Sequence, residues 1–450
     1  MNRRDFIKKS LLAGSAAALS VNTAKALRAT EPSSKHKDTD FDTAGFITEP
    51  SRRISVLTRC DVVVVGGGPA GVAAAIAAAR EGASTVLLER YNHLGGLWTG
   101  GLVLPTNCTH GCAPSGRREQ AIHGICKEIT HRLESLHASV REVNPVIDPE
   151  ACKYVLDCLC KDARVEVVYH CLATQIVRDG NAISGIIIES KSGRQAVMCK
   201  AVVDATGDGD IFHWAGEDYD KIQYYIGYAS RLGGCDRINT HADGYRKIPV
   251  GILDTPQRGV RWNSFPIRAQ TPQDGLDVRN LSRIQQQLRK QLWEQVESIR
   301  HTPGYEHVYL LDSASQLGVR ATRILHGRYR LTLDDSMTYK TFDDCIGLSG
   351  AWTQIPYKDH MVERSKRPIW QIPYRALLPK KTPNLLVAGR CFSFDKGLLE
   401  DAREIGTCLV TGQAAGTAAA LAVAKRTSTD DVDIRQLQAR LSAQDVRLTL

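Results

Sequence analysis

The run from Asp61 to Glu89 constrains this chain more than any other stretch. It reads as strand, glycine turn, helix, strand and acidic residue. Four consecutive valines, Val62 to Val65, suit a strand covered on both faces, as in a parallel sheet. Gly66-x-Gly68-x-x-Gly71 follows at once. In such a pattern the first glycine permits a tight turn, the second lets a pyrophosphate approach the backbone, and the third lets the helix pack close to the sheet. Pro69 and Ala70 fall in the first helical turn, where a missing proline N–H costs little. The helix start offers unpaired amides and a positive dipole end to phosphates. Gly82 closes the helix, and Thr85 to Leu88 make the second strand. Glu89, 23 positions after Gly66, is placed to accept hydrogen bonds from an adenosine ribose. The order of these pieces, more than the glycines alone, predicts a dinucleotide-binding unit.

The N-terminus reads as an address. Arg3-Arg4-Asp5-Phe6 is a twin-arginine pattern, followed by a modest apolar run from Leu11 to Val21 and a small-x-small site at Ala24-Lys25-Ala26. The run is too short and too rich in alanine and glycine to span a bilayer stably. The expectation is a signal over 1–26, a polar linker over 27–57, export in the folded state through the twin-arginine translocase, and a periplasmic or other extracytoplasmic location. No stable membrane span is expected.

After Glu89, Gly95, Gly96, Gly100 and Gly101 imply close backbone approach to something flat or phosphorylated. A helix is predicted over 116–136, and another over 148–162 with Asp148 as its N-cap and Pro149 at its first position. Strands are predicted at Val165–Tyr169, Ala173–Val177, Ile183–Glu189 and Gln195–Val203, a β-meander returning to the main sheet. It ends in Ala205-Thr206-Gly207-Asp208, a second turn that exposes backbone. The region from Phe212 to about Pro379 differs in texture. It has an apolar stripe at Leu281, Ile284, Leu288, Leu292, Val296 and Ile299, ended by Pro303, and predicted strands at Tyr305–Leu311 and Tyr329–Leu333. Asn384 to Arg390 is another buried strand, and Arg403 to Leu421 a helix of small residues.

A chain of 450 residues allows two domains. The net charge of +9 includes +4 contributed before Leu27, which leaves the rest mildly basic. Without a basic stripe interleaved with aromatics, nucleic acid is not an expected partner. The thirteen cysteines are scattered and contain no CxxC. Cys60, Cys171, Cys199 and Cys408 read as small buried hydrophobes. Cys108 and Cys112, separated by three residues, are open to a static disulfide, a dithiol or separate thiols. A metal at Cys108, His110 and Cys112 lacks a fourth ligand, and no metal is expected. Leu232-Gly233-Gly234 lacks the spacing and the strand–turn–helix context of a second dinucleotide fingerprint, so NAD(P)H is not an expected tight partner.

Taken together, the glycine motif with Glu89, the Gly95-Gly96 loop, the Ala-Thr-Gly-Asp turn and the final Val-Ala-Gly-Arg strand resemble FAD-dependent oxidoreductases of the glutathione-reductase-type fold. The segment following that strand, Gly412-Gln413-Ala-Ala-Gly416, belongs to the same resemblance. Leu317-Gly-Val-Arg320-Ala-Thr-Arg323-Ile, Phe342-Asp-Asp-Cys-Ile and Gln371 to Pro379 resemble the FAD-dependent oxidoreductase family in particular. This family is related to the flavoprotein part of heterodisulfide reductase and, more distantly, to fumarate reductase flavoproteins. The resemblance spans roughly 56–424.

It implies an α/β fold: a Rossmann-like FAD-binding domain (58–211 and 381–424, parallel sheet plus β-meander) with an inserted α+β substrate domain (212–380) and a C-terminal tail (425–450). It implies FAD, with Gly66, Gly68, Pro69, Ala70 and Gly71 at the pyrophosphate, Glu89 at the ribose, and Arg90, Gly95 and Gly96 at its border. Ala173 would meet the adenine. Gly207 and Asp208 would border the pyrophosphate, Gly389 and Arg390 the ribityl chain, and Gly412 and Gln413 the flavin. The helix start near Gly406 to Cys408 would face the flavin's pyrimidine edge, where its dipole suits the negative charge of reduced flavin.

The flavin carries the redox chemistry; the protein must place a C–H bond and supply an acid or base. The candidates are Arg403, as a carboxylate clamp or proton donor or else paired with Glu400 or Asp401; Arg320, in the shared Leu-Gly-Val-Arg segment; Lys396, where relatives often have histidine; and His360, in a loop. Arg375 reads as structural. The expected function is hydride transfer between flavin N5 and a small organic substrate, with an unknown electron acceptor or donor. The alternatives are a fumarate-reductase-like C=C reductase and an electron-transfer flavoprotein serving a protein partner.

Overall fold

Val62–Val65 is the middle strand of a five-stranded sheet in which every pairing is parallel. The strand order is Leu385–Val387, Ala201–Asp204, Val62–Val65, Thr85–Leu88, Glu166–Val168. Val62 lies opposite Ala201 on one side and Thr85 on the other. All four valines are buried, as a strand covered on both faces must be. The computed structural model describes residues 49, 51–246, 252–264, 267–351 and 353–450. The expected signal and residues 27–48 and 50 of the expected linker lie outside the described residues.

Two helices of small residues pack on this sheet and on each other, Pro69–Arg80 and Ile405–Lys425. A β-carbon at Gly412 would sit 2.1 Å from the Ala70 carbonyl oxygen, and one at Gly416 would sit 2.0 Å from that of Ala74. The two helices therefore touch backbone to backbone over a full turn. Among the described residues one helix, Ile405–Lys425, is long and apolar enough to cross a membrane, but 89% of its most apolar window is buried inside the protein. Pro69–Arg80 ends where Gly82 takes φ +91° and the Ala83 amide reaches back to the Ala78 carbonyl at 3.2 Å.

The meander forms a second sheet, Ser55–Arg59, Gly193–Met198, Ala182–Ser190, Leu172–Asp179, in which the first pair is parallel and the others antiparallel. The inserted region carries a four-stranded antiparallel sheet, Ile252–Asp254, Arg261–Asn263, Ser230–Gly233, Tyr309–Ser313. The helix Val278–Arg300 buries Ile284, Leu288, Leu292 and Val296, and is N-capped by Asp277. This region meets the parallel sheet's loops directly: the Trp262 indole N–H donates to the Leu102 carbonyl at 2.5 Å, and the Ser315 hydroxyl to that of Gly100 at 3.1 Å. Residues 54–450 pack as one unit.

Four local expectations are corrected. The helix predicted over 116–136 starts only at Ile125, because Gly116 (φ +81°) turns a hairpin of His110–Cys112 with Arg118–Gln120 and Gly124 (φ +62°) starts the helix afresh. The strand predicted over 195–203 is two strands. The amides of Lys200 and Ala201 both donate to the Asp61 carbonyl, which moves the chain from the meander to the parallel sheet. The strand expected from Tyr305 begins at Tyr309, since Tyr305 and Val308 close turns on Thr302 and Tyr305. Tyr329–Leu333 is no strand. Thr332 and Asp335 form a capping box that opens the helix Leu333–Met337, and only Leu331 makes an isolated bridge, to Phe394. The helix Pro149–Asp162 does start on Asp148, whose carboxylate accepts from the Ala151 amide at 2.7 Å.

Candidate functional site

At the carboxyl ends of the parallel strands lies a cavity of about 540 Å³, the position where open α/β sheets take ligands. The three motif glycines serve it differently. Gly66 takes φ +100°, and a β-carbon there would lie 2.5 Å from the Ala205 carbonyl oxygen. At Gly71 a β-carbon would lie 1.7 Å from the Gly66 carbonyl oxygen, so the helix is pressed onto the turn. A β-carbon at Gly68 would meet nothing within 4 Å among the described residues: on that side the backbone faces open space. Gly66, Gly68, Pro69 and Ala70 line the cavity, while Gly71 is behind it. The helix's first backward bond runs from the Val72 amide to the Gly68 carbonyl at 2.9 Å, leaving the amides before it to a ligand.

Glu89 is buried, with 5% of its surface exposed. One carboxylate oxygen accepts from the Gly67 amide at 2.7 Å and the other from Tyr91 at 2.8 Å, which pins the acid at the strand end. Arg90 lies over the Tyr91 ring, 4.9 Å from its centroid, and both border the cavity with Gly96 and Ala173. Gly95 does not line it. Its amide donates to Gly67 at 2.8 Å, so it backs the glycine turn.

On the facing wall, Arg390 reaches Asp208 at 2.7 Å, and the Thr322 hydroxyl donates to the same carboxylate oxygen at 2.9 Å. The guanidinium lies against Gly207, where a β-carbon would meet it at 2.6 Å. Arg390 Nε is buried without a partner among the described residues, a donor that an acceptor-rich ligand in this cavity would satisfy. Arg323 is occupied, donating to the Asp208 carbonyl at 2.8 Å and to Asp210 at 3.0 Å. Beneath this wall the Asp204 carboxylate accepts from Thr206 and from the amides of Ile211 and Phe212; burial pushes its pKa up to about 6 against those donors. Gly389 (φ +83°) lines the cavity, and its amide donates to the Thr411 hydroxyl at 3.0 Å.

The third wall is the start of Ile405–Lys425, with Arg403, Glu404, Ile405 and Cys408. Arg403 pairs with Glu400 at 2.5 Å and Glu404 at 2.9 Å. Burial pushes the Glu404 carboxyl up, while the Arg403 charge pulls it back. Glu404 also accepts from Asn107 at 2.9 Å, and Asn107 Oδ1 is buried without a partner among the described residues. Asp401 is the partner of Arg367, not of Arg403, in an ion pair whose side chains are nearly inaccessible. Arg320 lines the same end of the cavity.

Sequence reasoning missed Asn107, Glu404, Trp262 and Gln316, all of which line the cavity. Glu404 was signalled by its place beside Arg403; Asn107 was overshadowed by its cysteine neighbour. Other expected residues lie elsewhere. Gly412 packs against Ala70, and Gln413 Oε1 accepts from the Ile125 amide at 2.9 Å, capping a helix rather than bordering the cavity. His360 is exposed on a two-stranded hairpin with Ile355–Tyr357. Lys396 is exposed in a 3-10 turn that Asp395 caps. The cavity therefore brings together Arg320 and Arg403 but neither Lys396 nor His360. Arg375 pairs through two nitrogens with Asp344, at 2.9 and 3.1 Å. Cys108 is buried against Asp401, Cys112 donates to the Ser365 carbonyl at 2.9 Å, and neither lines the cavity. Gly233 packs on the Tyr309 ring inside the antiparallel sheet.

Comparison with known proteins gives one family match, described as FAD dependent oxidoreductase, over residues 61–231 and 234–441. Thiamine thiazole synthase of Methanococcus vannielii is 29% identical over 160 residues, 34% of this chain and 57% of that protein. Digeranylgeranylglycerophospholipid reductase of Picrophilus torridus is 27% identical over 172 residues, 35% of this chain and 41% of that protein. The chain thus spans little more than half the length of these relatives, or less. Among solved structures, a geranylgeranyl bacteriochlorophyll reductase-like protein from Thermoplasma acidophilum matches at TM-score 0.44 and 16% identity, covering 86% of this chain and 83% of that one.

Proposed function

This chain belongs to the FAD dependent oxidoreductase family, and from that premise we propose an exported enzyme that passes a hydride between FAD and a small organic substrate. It is an oxidoreductase with FAD as cofactor. FAD supplies the two-electron chemistry; the chain supplies binding, orientation and exclusion of water. In this reading Gly66, Gly68, Pro69 and Ala70 would hold the pyrophosphate with the helix amides, Glu89 the ribose, and Gly207, Asp208, Gly389 and Arg390 the middle of the cofactor. Arg403, fixed by Glu400 and Glu404, holds charge at the start of the last helix, where its guanidinium stays protonated. The observation that carries the reading is that one cavity joins the glycine cradle to residues of the inserted region, Tyr228, Trp262 and Arg320.

The purified protein is expected to show a flavin absorbance spectrum that bleaches anaerobically with one class among sugars, hydroxy acids and amines. A protein that is colourless and takes up no FAD on reconstitution overturns the reading. A second reading, reduction of a C=C bond, draws on the reductase among the relatives. It predicts no bleaching by those donors, and reoxidation of viologen-reduced protein by an enoate. A flavin that reacts with neither points to electron transfer to a protein partner. Export rests on Arg3 and Arg4. Replacing both with lysine is expected to hold the full-length chain in the cytoplasmic fraction, and unchanged fractionation rules out the twin-arginine route and the periplasmic assignment.

A further inference from the structure

We propose that the substrate has an apolar body and one carboxylate, and that Arg320 holds that carboxylate in the cavity. The inference rests on the enzyme reading above. Arg320 and Arg403 both line the cavity and lie near enough for their charges to interact, and of the two only Arg403 has an ion pair among the described residues. Arg403 commits one terminal nitrogen to Glu400 and the other to Glu404, and its Nε is buried. Arg320 makes one hydrogen bond, from Nη1 to the Tyr225 carbonyl at 3.2 Å, and no ion pair among the described residues. The nearby acids are already engaged: Glu400 takes Arg403 and the Tyr224 hydroxyl, Glu404 takes Arg403 and Asn107.

Arg320 Nε and Nη2 therefore present a fork of N–H donors without an acceptor among the described residues, the geometry that suits a carboxylate bound through both oxygens. The guanidinium borders the cavity and packs beside glycine backbone. A β-carbon at Gly227 would come within 3.6 Å of Nη2, and one at Gly318 within 3.1 Å of the Gly227 carbonyl oxygen. Burial, and then the like charge of Arg403, hold the Arg320 guanidinium below its ordinary range, while Glu400, Tyr224 and Glu404 pull the other way. A half-buried cation with no direct counter-ion among the described residues carries a desolvation cost that a bound anion would relieve.

The phosphates of the dinucleotide have their own donors. The Pro69–Arg80 helix start and Arg390 face the glycine turns, and Arg323, three residues on, is held by Asp208 and Asp210. The groups that act electrostatically on Arg320 are instead those at the start of Ile405–Lys425 and on Tyr224. Elsewhere in the inserted region the lining carries the apolar surfaces of Tyr228, Ala229, Trp262 and Leu281, with Ser282, Gln285 and Gln316 among them. Because the Trp262 N–H is used by Leu102, that side chain offers the cavity only its ring. A cationic fork beside an aromatic wall suits an amphipathic monocarboxylate.

The test titrates FAD-loaded protein with benzoate and with its neutral analogue benzamide, reading the flavin difference spectrum and tryptophan fluorescence. Benzoate is expected to bind saturably and benzamide at least about 30-fold more weakly. Arg320→Gln is expected to weaken benzoate by about the same factor with FAD content and Tm unchanged, and Arg320→Lys to recover part of the loss. The proposal is overturned if benzoate gives no saturable change, if Arg320→Gln binds it as tightly as the parent, or if Arg320→Gln loses FAD. If the parent takes no FAD, the enzyme reading falls separately, and tryptophan fluorescence of the cofactor-free protein still decides whether benzoate binds through Arg320.

Discussion

Glu89→Arg is expected to yield a chain that purifies without flavin. The native carboxylate is buried and already accepts two backbone amides, from Gly67 and Tyr91. An arginine removes both acceptors, orphans both amides and brings a cation to a place with no counter-ion. Unsatisfied buried groups cost about 1–3 kcal/mol each, and an uncompensated buried charge more. The turn that shapes the cavity would lose its anchor along with the expected ribose acceptor. FAD affinity should fall by at least about 100-fold, read by reconstitution and fluorescence quenching. Glu89→Gln separates the two roles. One amide oxygen still accepts from Gly67, so the chain should fold at nearly the parental Tm while FAD affinity falls by about tenfold. Retention of FAD by both variants would remove Glu89 from the site.

Gly416→Val should have the largest effect on stability. The added β-carbon would meet the Ala74 carbonyl oxygen at 2.0 Å, and that atom belongs to a buried helix rather than to a side chain that can swing away. Overpacking of cores costs about 1–3 kcal/mol where side chains can adjust, and here backbone must move instead. The Pro69–Arg80 helix would be pushed off Ile405–Lys425, carrying the glycine turn with it. The expected outcome is insoluble protein, or a soluble fraction with a lowered Tm and lost flavin. Gly416→Ala, with the same contact but no branches, should be milder. A Gly416→Val variant with parental Tm would show that the helices are not held at this distance.

Local chemistry explains which parts of this structure could be read from the chain. Val62 to Val65, the glycine turn and the Asp148 cap are decided by neighbours a few residues away, and the observed elements match. The stretch before Ile125 misleads: the helix expected from Gly116 begins only at Ile125, because Gly116 and Gly124 both take left-handed conformations and make turns. The site is less local. Asn107 and Glu404 are 297 positions apart, and nothing in either segment announces their hydrogen bond. A pairing of Arg403 with Glu400 is open in the sequence, but its second carboxylate, Glu404, and the lack of an ion pair at Arg320 among the described residues appear only in the folded chain. The resemblance places Gly412 and Gln413 at the flavin, whereas here Gly412 meets the Ala70 backbone and Gln413 accepts from the Ile125 amide.

The interlock of those two helices also sets an order in time. Pro69–Arg80 leaves the ribosome more than 300 residues before its partner, and until Ile405–Lys425 arrives its alanine face has nothing to cover it. The edge strand Leu385–Val387 is equally late. Contacts of such long sequence separation form slowly and leave sticky surface exposed meanwhile. The glycine turn, though made first, becomes a finished pocket only when synthesis is nearly over. Cofactor capture is then a late event, one that marks a chain as complete.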